Sequence, residues 1–360
     1  MITTIVGCLD DRLVPEVDFQ VESATELLLY LESNGDYINS EAINEFVTAS
    51  EVYSNRNSYL VIDVRSQSEF ASGHIEGSAN VEPKNLLSYL KGINQNNYAK
   101  IVLVSESGQA AAYYTALMRF AGFAKVTSME YGMAEWHNDF ASIWLNALQD
   151  YRPGYNHYTN EVYTKPNFSK LPQLNFMNKN AGINEKLEER INYLLNSGFN
   201  EAFVDTIDVS KHDSNNLDND QASTRVETIY KHYNYLTNSF DEHFILCFGN
   251  NFLYRAHSLE GPFAGEGHLP TAVQYLPQID LRSTAYLQTI PTGNVVAVYD
   301  VNGHTSAKVV AYLRLLGYDA KSILFGANNL FYSRLNFVND LRAFAFNQSM
   351  IMSYPYITGN

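Results

Sequence analysis

The sequence predicts an α/β chain of two tandem units, each a parallel sheet flanked by helices, and three observations carry that fold class. The chain has 360 residues, room for about two domains at roughly 150 residues each. An internal repeat divides it: residues 108–123 read GQAAAYYTALMRFAGF and residues 303–318 read GHTSAKVVAYLRLLGY, with Gly, Ala, Leu, Arg and a Gly-aromatic pair in register. Each copy follows a short β-branched and apolar run, IVLV at 101–104 and VVAVY at 295–299, the composition of strands buried on both faces of a parallel sheet.

Each half therefore contains a strand, a tight loop and a helix. The helices are read from apolar residues at helical spacing and from the glycine that stops each one. The repeat extends in both directions. Upstream, LVID at 60–63 parallels FILC at 244–247, and GHIEGSAN at 73–80 matches GHLPTAVQ at 267–274. Downstream, strands are expected at 125–129 and 320–324, each followed by a glycine, Gly132 or Gly326. A helix is expected ahead of each unit, at 24–33 and 185–197. Between the units, 151–178 is rich in Tyr, Asn, Pro and Lys without a clear period, which reads as an ordered but irregular connection lying against a domain. The expected organisation is a tether at 1–22, a first domain at 23–150, an irregular linker at 151–182, and a divergent second domain with an aromatic tail at 183–360.

Composition narrows the function classes. Apolar residues make up 46% and aromatics 13%, ample for packed cores. The formal net charge is −15, and an acidic surface repels phosphate backbones and anionic membranes, so nucleic acid is not an expected partner. No apolar run reaches the ~18 residues of a membrane span. Two cysteines, Cys8 and Cys247, make neither a zinc site nor a disulfide framework, and no metal or cofactor is expected. Ile5-Val6-Gly7-Cys8, followed by acidic Asp10 and Asp11, resembles a bacterial lipoprotein box. That resemblance implies lipidation of Cys8 and a lipid-anchored place in the bacterial cell envelope, the outer membrane favoured, with no transmembrane helix. Residues 1–7 are short for a signal peptide and carry no basic residue, so the reading requires a start upstream of Met1. The alternative is an exposed Cys8 on a soluble cytoplasmic protein.

Five blocks then fall in order over 39–145. Asp63-Val64-Arg65 closes a strand, Ser68-Glu69-Phe70 follows, and Gly73-His74-Ile75 leads into Gly77-Ser78-Ala79-Asn80. Ser105-Glu106-Ser107-Gly108-Gln109-Ala110 makes the loop before the repeated helix, and Tyr131-Gly132-Met133-Ala134-Glu135-Trp136 comes last. Together they resemble the rhodanese family, with its D-x-R, glutamate, G-H-I-x-G-A-x-N turn, active-site loop and closing G-G-x-x-x-W. The second half, about 186–345, resembles it less well. It keeps a G-H-L-P turn, the loop-helix unit at Asp300-Val301-Asn302-Gly303-His304-Thr305 and the final Gly326. Cys247-Phe248-Gly249 stands in place of D-x-R, and an insertion precedes Gly267.

The resemblance implies a loop wrapped round a helix N-terminus, whose N–H groups and dipole make an anion cradle. A cysteine at the first loop position would sit over it as thiolate and carry sulfur as a persulfide. Here that position holds Ser105 in one half and Asp300 in the other. A serine hydroxyl is a far weaker nucleophile near neutral pH and cannot carry a sulfane sulfur. Glu106 adds negative charge where an anionic substrate would approach, and the Asp300 carboxylate is expected to occupy the second cradle itself. Cys247 is expected to be a buried packing thiol. The 300–305 string also resembles the D-x-D-G-x-[TV] motif of haloacid-dehalogenase-type phosphatases, but Asn302 stands where the proton-transferring aspartate belongs.

The remaining polar residues have structural readings. His74 and His268 are expected in packed turns, Arg65 and Glu69 in a bracing salt bridge, and Arg119, Lys308 and Arg314 facing solvent or supporting loop carbonyls. The aromatic linker and tail are expected to pack between domains, with 350–356 a candidate for docking on another chain. The function expected is non-catalytic: a rhodanese-like binding or scaffold protein, a lipid-anchored subunit of an envelope assembly whose partners are other envelope proteins. The first alternative is a small-molecule or anion-binding protein using the Ser105 loop. The second is a sulfurtransferase with a non-cysteine mechanism.

Overall fold

The computed structural model describes residues 23–151, 158–178, 180–201, 221–255 and 267–359. Cys8 with its lipoprotein-like motif, and the insertion before Gly267, lie outside them. The first unit is a four-stranded sheet of β1 (Tyr59–Asp63), β2 (Ala79–Asn80), β3 (Lys100–Val104) and β4 (Val126–Ser128). The order is β2-β1-β3-β4 and every pairing is parallel. In the second unit, β5 (Ser223–Thr224) is followed by a separate antiparallel hairpin of β6 (Tyr233–Asn234) and β7 (Ser239–Phe240). Then come β8 (His243–Phe248), β9 (Val273–Tyr275), β10 (Val295–Tyr299) and β11 (Ala320–Ile323). The second sheet repeats the first as β9-β8-β10-β11, with β5 added at one edge.

Register aligns the two copies at the loops. Asp63 pairs with Val104 in one sheet and Cys247 with Tyr299 in the other. Ser105 and Asp300 therefore leave their sheets at the same point, beyond the carboxyl ends of parallel strands, where α/β folds place their sites. The helix after each loop, Gln109–Phe120 or His304–Leu315, is buried nearly all round. One face covers its own sheet and the other packs on its counterpart, with the Phe120 and Tyr312 rings 6.1 Å apart. A helix apolar on all sides belongs in a core, and one continuous apolar cluster holds Ile101 and Leu117 of the first unit with Val296 and Leu313 of the second.

Of the two places expected for the helix cations, solvent or carbonyl support, that packing gives the second. Lys308 is fully buried and donates to the carbonyls of Ile43 (2.8 Å) and Glu45 (2.9 Å), with its ammonium 3.5 Å from the centre of the Phe46 ring. Arg314 is buried and reaches the Ala320 carbonyl, while Arg119 donates to the Val126 carbonyl and the Glu45 carboxylate. The linker lies on the second unit: Thr159 and His268 exchange backbone hydrogen bonds at 2.9 Å, and Leu171 and Phe176 are buried.

The C-terminal aromatic segment, a sequence candidate for docking on another chain, crosses back onto the first unit. Its backbone pairs with Glu135, Trp136 and His74 through Met352, Tyr354 and Ile357. Tyr354 stacks on Tyr53 at 4.2 Å, and Trp136 Nε1 donates to the Pro355 carbonyl at 3.0 Å. Rings with few charges seek a complementary apolar wall, and the first unit supplies it.

Candidate functional site

The first cradle is built by the loop between β3 and the helix Gln109–Phe120. Gly108 sits at its turn with a φ of 89°, and a Cβ there would lie 2.0 Å from the Glu130 carbonyl oxygen, so only glycine lets the loop close. The backbone N–H groups of Glu106, Ser107 and Ala110 converge with the hydroxyls of Ser105 and Ser107. A carboxylate fills the point of convergence, and it is Glu201. Its Oε1 accepts from Ser105 Oγ (2.9 Å), Ser107 Oγ (2.7 Å) and the Ala110 N–H (2.6 Å). Its Oε2 accepts from the N–H groups of Glu106 (3.0 Å) and Ser107 (3.2 Å). Ser105 Oγ also accepts from the N–H groups of Gly108 and Ala111, both at 3.1 Å. A buried carboxylate with five donors is held as an anion is held at a helix N-terminus.

The second cradle carries its own carboxylate. Asp300 Oδ1 accepts from the Gly303 N–H (2.6 Å) and Ser306 Oγ (3.0 Å), and Oδ2 from the Thr305 N–H (2.9 Å). Burial pushes this carboxyl above its ordinary range, while those same hydrogen bonds pull it back. Asn302 caps the turn by accepting from the His304 N–H and reaches Glu130 Oε1 at 3.3 Å.

The two loops lock together through matching positions. Gln109 Oε1 accepts from the Phe325 N–H at 2.7 Å, and His304 Nε2 meets the Ser107 carbonyl at 3.1 Å. Burial depresses the His304 imidazole to about 3, so the ring is neutral and its Nε2–H is the donor. Trp144 Nε1 donates to the same carbonyl at 2.9 Å.

Beside the first cradle lies a cleft of about 190 Å³, lined by Arg65, Glu69, Glu106, Tyr114, Phe199 and Glu201 among others. Burial and the neighbouring Glu201 and Glu69 carboxylates push the Glu106 carboxyl up to about 7. Arg65 is not bridged to Glu69. It forks onto Asp63, Nε to Oδ1 at 3.0 Å and NH2 to Oδ2 at 2.6 Å, and also holds the Gly73 carbonyl. Glu69 instead closes a capping box with Ser66 at the start of its own short helix. Two residues apart on an extended strand end, Asp63 and Arg65 reach the same side, whereas Glu69 is needed to cap.

His74 and His268 sit in matching turns. Each is buried, its Nδ1 is 2.8 Å from a carbonyl (Phe70 or Tyr254), and its ring stacks on that residue's ring at 3.6 or 3.7 Å. Cys247 is fully buried, and burial pushes its thiol up to about 12. Among the described residues, no group of three or more His, Cys, Asp or Glu is placed to hold a metal ion, and no helix is long and apolar enough to cross a membrane. Sequence reasoning missed Glu201, because nothing local marks a glutamate beyond a helix-stopping glycine as the partner of a loop 91–96 residues earlier.

Comparison with known proteins places this geometry. A rhodanese-like domain model matches residues 48–139, the stretch that contains the first cradle. Over 83 residues the chain is 31% identical to the thiosulfate sulfurtransferase GlpE of Pseudomonas fluorescens (strain Pf0-1), covering 23% of this chain and 74% of that protein. Over 83 residues it is 29% identical to the uncharacterized protein YibN of Escherichia coli (strain K12), and spans only 58% of that relative's length. Among solved structures, the 3-mercaptopyruvate sulfotransferase SseA of Escherichia coli is similar at 15% identity and a TM-score of 0.26, over 77% of this chain and 97% of that one. A thiosulfate sulfurtransferase of Pseudomonas aeruginosa is similar at 13% identity and a TM-score of 0.28, over 84% of this chain and 45% of that one. With about three quarters of a GlpE protein matched and the domain model lying across the Ser105 loop, the chain belongs to the rhodanese-like domain family.

Proposed function

We propose that this protein is a non-catalytic rhodanese-like binding protein, its two cradles closed by carboxylates of its own chain. The observation that carries the reading is the occupancy of both cradles: Glu201 takes the donors of the first and Asp300 those of the second. An anionic sulfur donor needs those same N–H groups, and in each loop it would meet a negative charge already in place. Sulfur relay also needs a thiolate over the cradle. Ser105 and Asp300 stand there, and the Cys247 thiol is held protonated inside the second unit. Recognition is the activity left to such a fold. The name thiosulfate sulfurtransferase belongs to the GlpE relatives, and assaying that reaction tests the proposal. The purified chain, given thiosulfate and cyanide, is expected to form thiocyanate no faster than buffer. Turnover above buffer that disappears in Ser105→Ala would overturn the reading.

A further inference from the structure

The two carboxylates close their cradles by different means. Asp300 belongs to the loop it fills and lies three and five residues from the N–H groups it takes, so nothing short of unfolding the loop removes it. Glu201 arrives from outside, beyond the helix Ile183–Ser197. Gly198, with a φ of 81°, turns the chain. Phe199 is buried with its ring 5.4 Å from that of Tyr113, and its N–H donates to Tyr114 Oη at 3.0 Å. The Asn200 carbonyl accepts from Ser223 Oγ at 2.6 Å. A three-residue segment thus places an aromatic ring on a tyrosine wall and a carboxylate in the cradle, the arrangement of a bound peptide.

The site is also matched to one charge. Three donors converge on Oε1 and two on Oε2, a pattern that fits a planar two-oxygen group. Glu106 and Glu69 lie close enough to act on one another, and Arg65 is already forked onto Asp63. Exchanging Glu201 for another glutamate leaves the charge of the site unchanged, whereas a doubly charged oxyanion adds a second negative charge beside those carboxylates.

We propose that Phe199-Asn200-Glu201 is a tethered stand-in for a partner's segment. The first cradle and the Tyr113–Tyr114 wall are a recognition site for an acidic peptide with an aromatic residue two places before a glutamate. The chain holds that site closed in cis. The inference rests on the non-catalytic reading and names the ligand of the cradle. A tethered competitor acts at an effective concentration on the order of millimolar, so removing it should tighten peptide binding by at least about tenfold.

The test uses the full chain and a labelled hexapeptide, Ser-Gly-Phe-Asn-Glu-Ala, which copies residues 197–202, with its Gln counterpart and sodium sulfate as comparisons. Fluorescence anisotropy is expected to show one peptide bound per Glu201→Ala chain, at least about tenfold tighter than to the unaltered chain. The Gln peptide is expected to bind more weakly, and Ser107→Ala added to Glu201→Ala should weaken binding again. Should Glu201→Ala fail to fold, Glu201→Gln, which keeps the volume, carries the same comparison. Equal peptide binding by both chains, no peptide binding by either, no preference for Glu over Gln, or displacement of the peptide by sulfate as readily as by unlabelled peptide would each overturn the inference. Thiocyanate formation by the opened variant would instead sink the non-catalytic reading, so the two failures are distinguishable.

Discussion

Removing the Asp300 carboxylate leaves the N–H groups of Gly303 and Thr305 and the Ser306 hydroxyl without the acceptor they now share. A buried donor stripped of its partner costs ~1–3 kcal/mol, so Asp300→Ala is expected to lose about 3 kcal/mol of stability in salt-poor buffer. Added sulfate should restore part of the loss, because the donors still converge on one point. Thermal melts with and without sulfate check this, and an unchanged melting temperature in salt-poor buffer would refute it. Ser105 differs: its hydroxyl donates to Glu201 and accepts from Gly108 and Ala111. It is a strut between Glu201 and the loop.

At the scale of elements, the tail that crosses from the second unit to the first ties the two together. Deleting residues 350–359 removes the Tyr354 stack on Tyr53 and the Pro355 carbonyl from Trp136 Nε1. Aromatic pairs contribute ~0.5–1.5 kcal/mol beyond their burial, and the tail adds several backbone pairings. The truncated chain is expected to melt several degrees lower, with a red shift in Trp136 emission. Unchanged melting and emission would mean the strap is idle. Elements of this kind differ in how far they can be read from sequence. The β-branched run at 101–104 falls inside β3 (Lys100–Val104), and the repeated helices begin directly after Gly108 and Gly303. Those signals are local: side-chain branching, helical spacing, a left-handed turn. The tail's partner and the Glu201 plug are set by distance in space, and nothing beside them in the sequence carries that information.

The whole molecule follows from where the repeated helices lie. Gln109–Phe120 and His304–Leu315 are each buried between a sheet and the other helix, so neither unit completes its core alone. Other links reinforce this: His304 on the Ser107 carbonyl, Lys308 on the carbonyls of Ile43 and Glu45, and Glu32 accepting from the Ser283 N–H and hydroxyl, both at 2.6 Å. Glu201, from the second unit, closes the first unit's cradle. Domains joined by small polar interfaces melt separately, but a large apolar interface ties their unfolding together. Calorimetry of the full chain is expected to give a single transition, with van't Hoff and calorimetric enthalpies in agreement. Residues 23–150 expressed alone should fail to melt cooperatively, because the outer face of Gln109–Phe120 would be left in water. Two separated transitions, or a cooperative melt of the isolated first unit, would show that each half holds its own core and that the shared helix interface is only a contact.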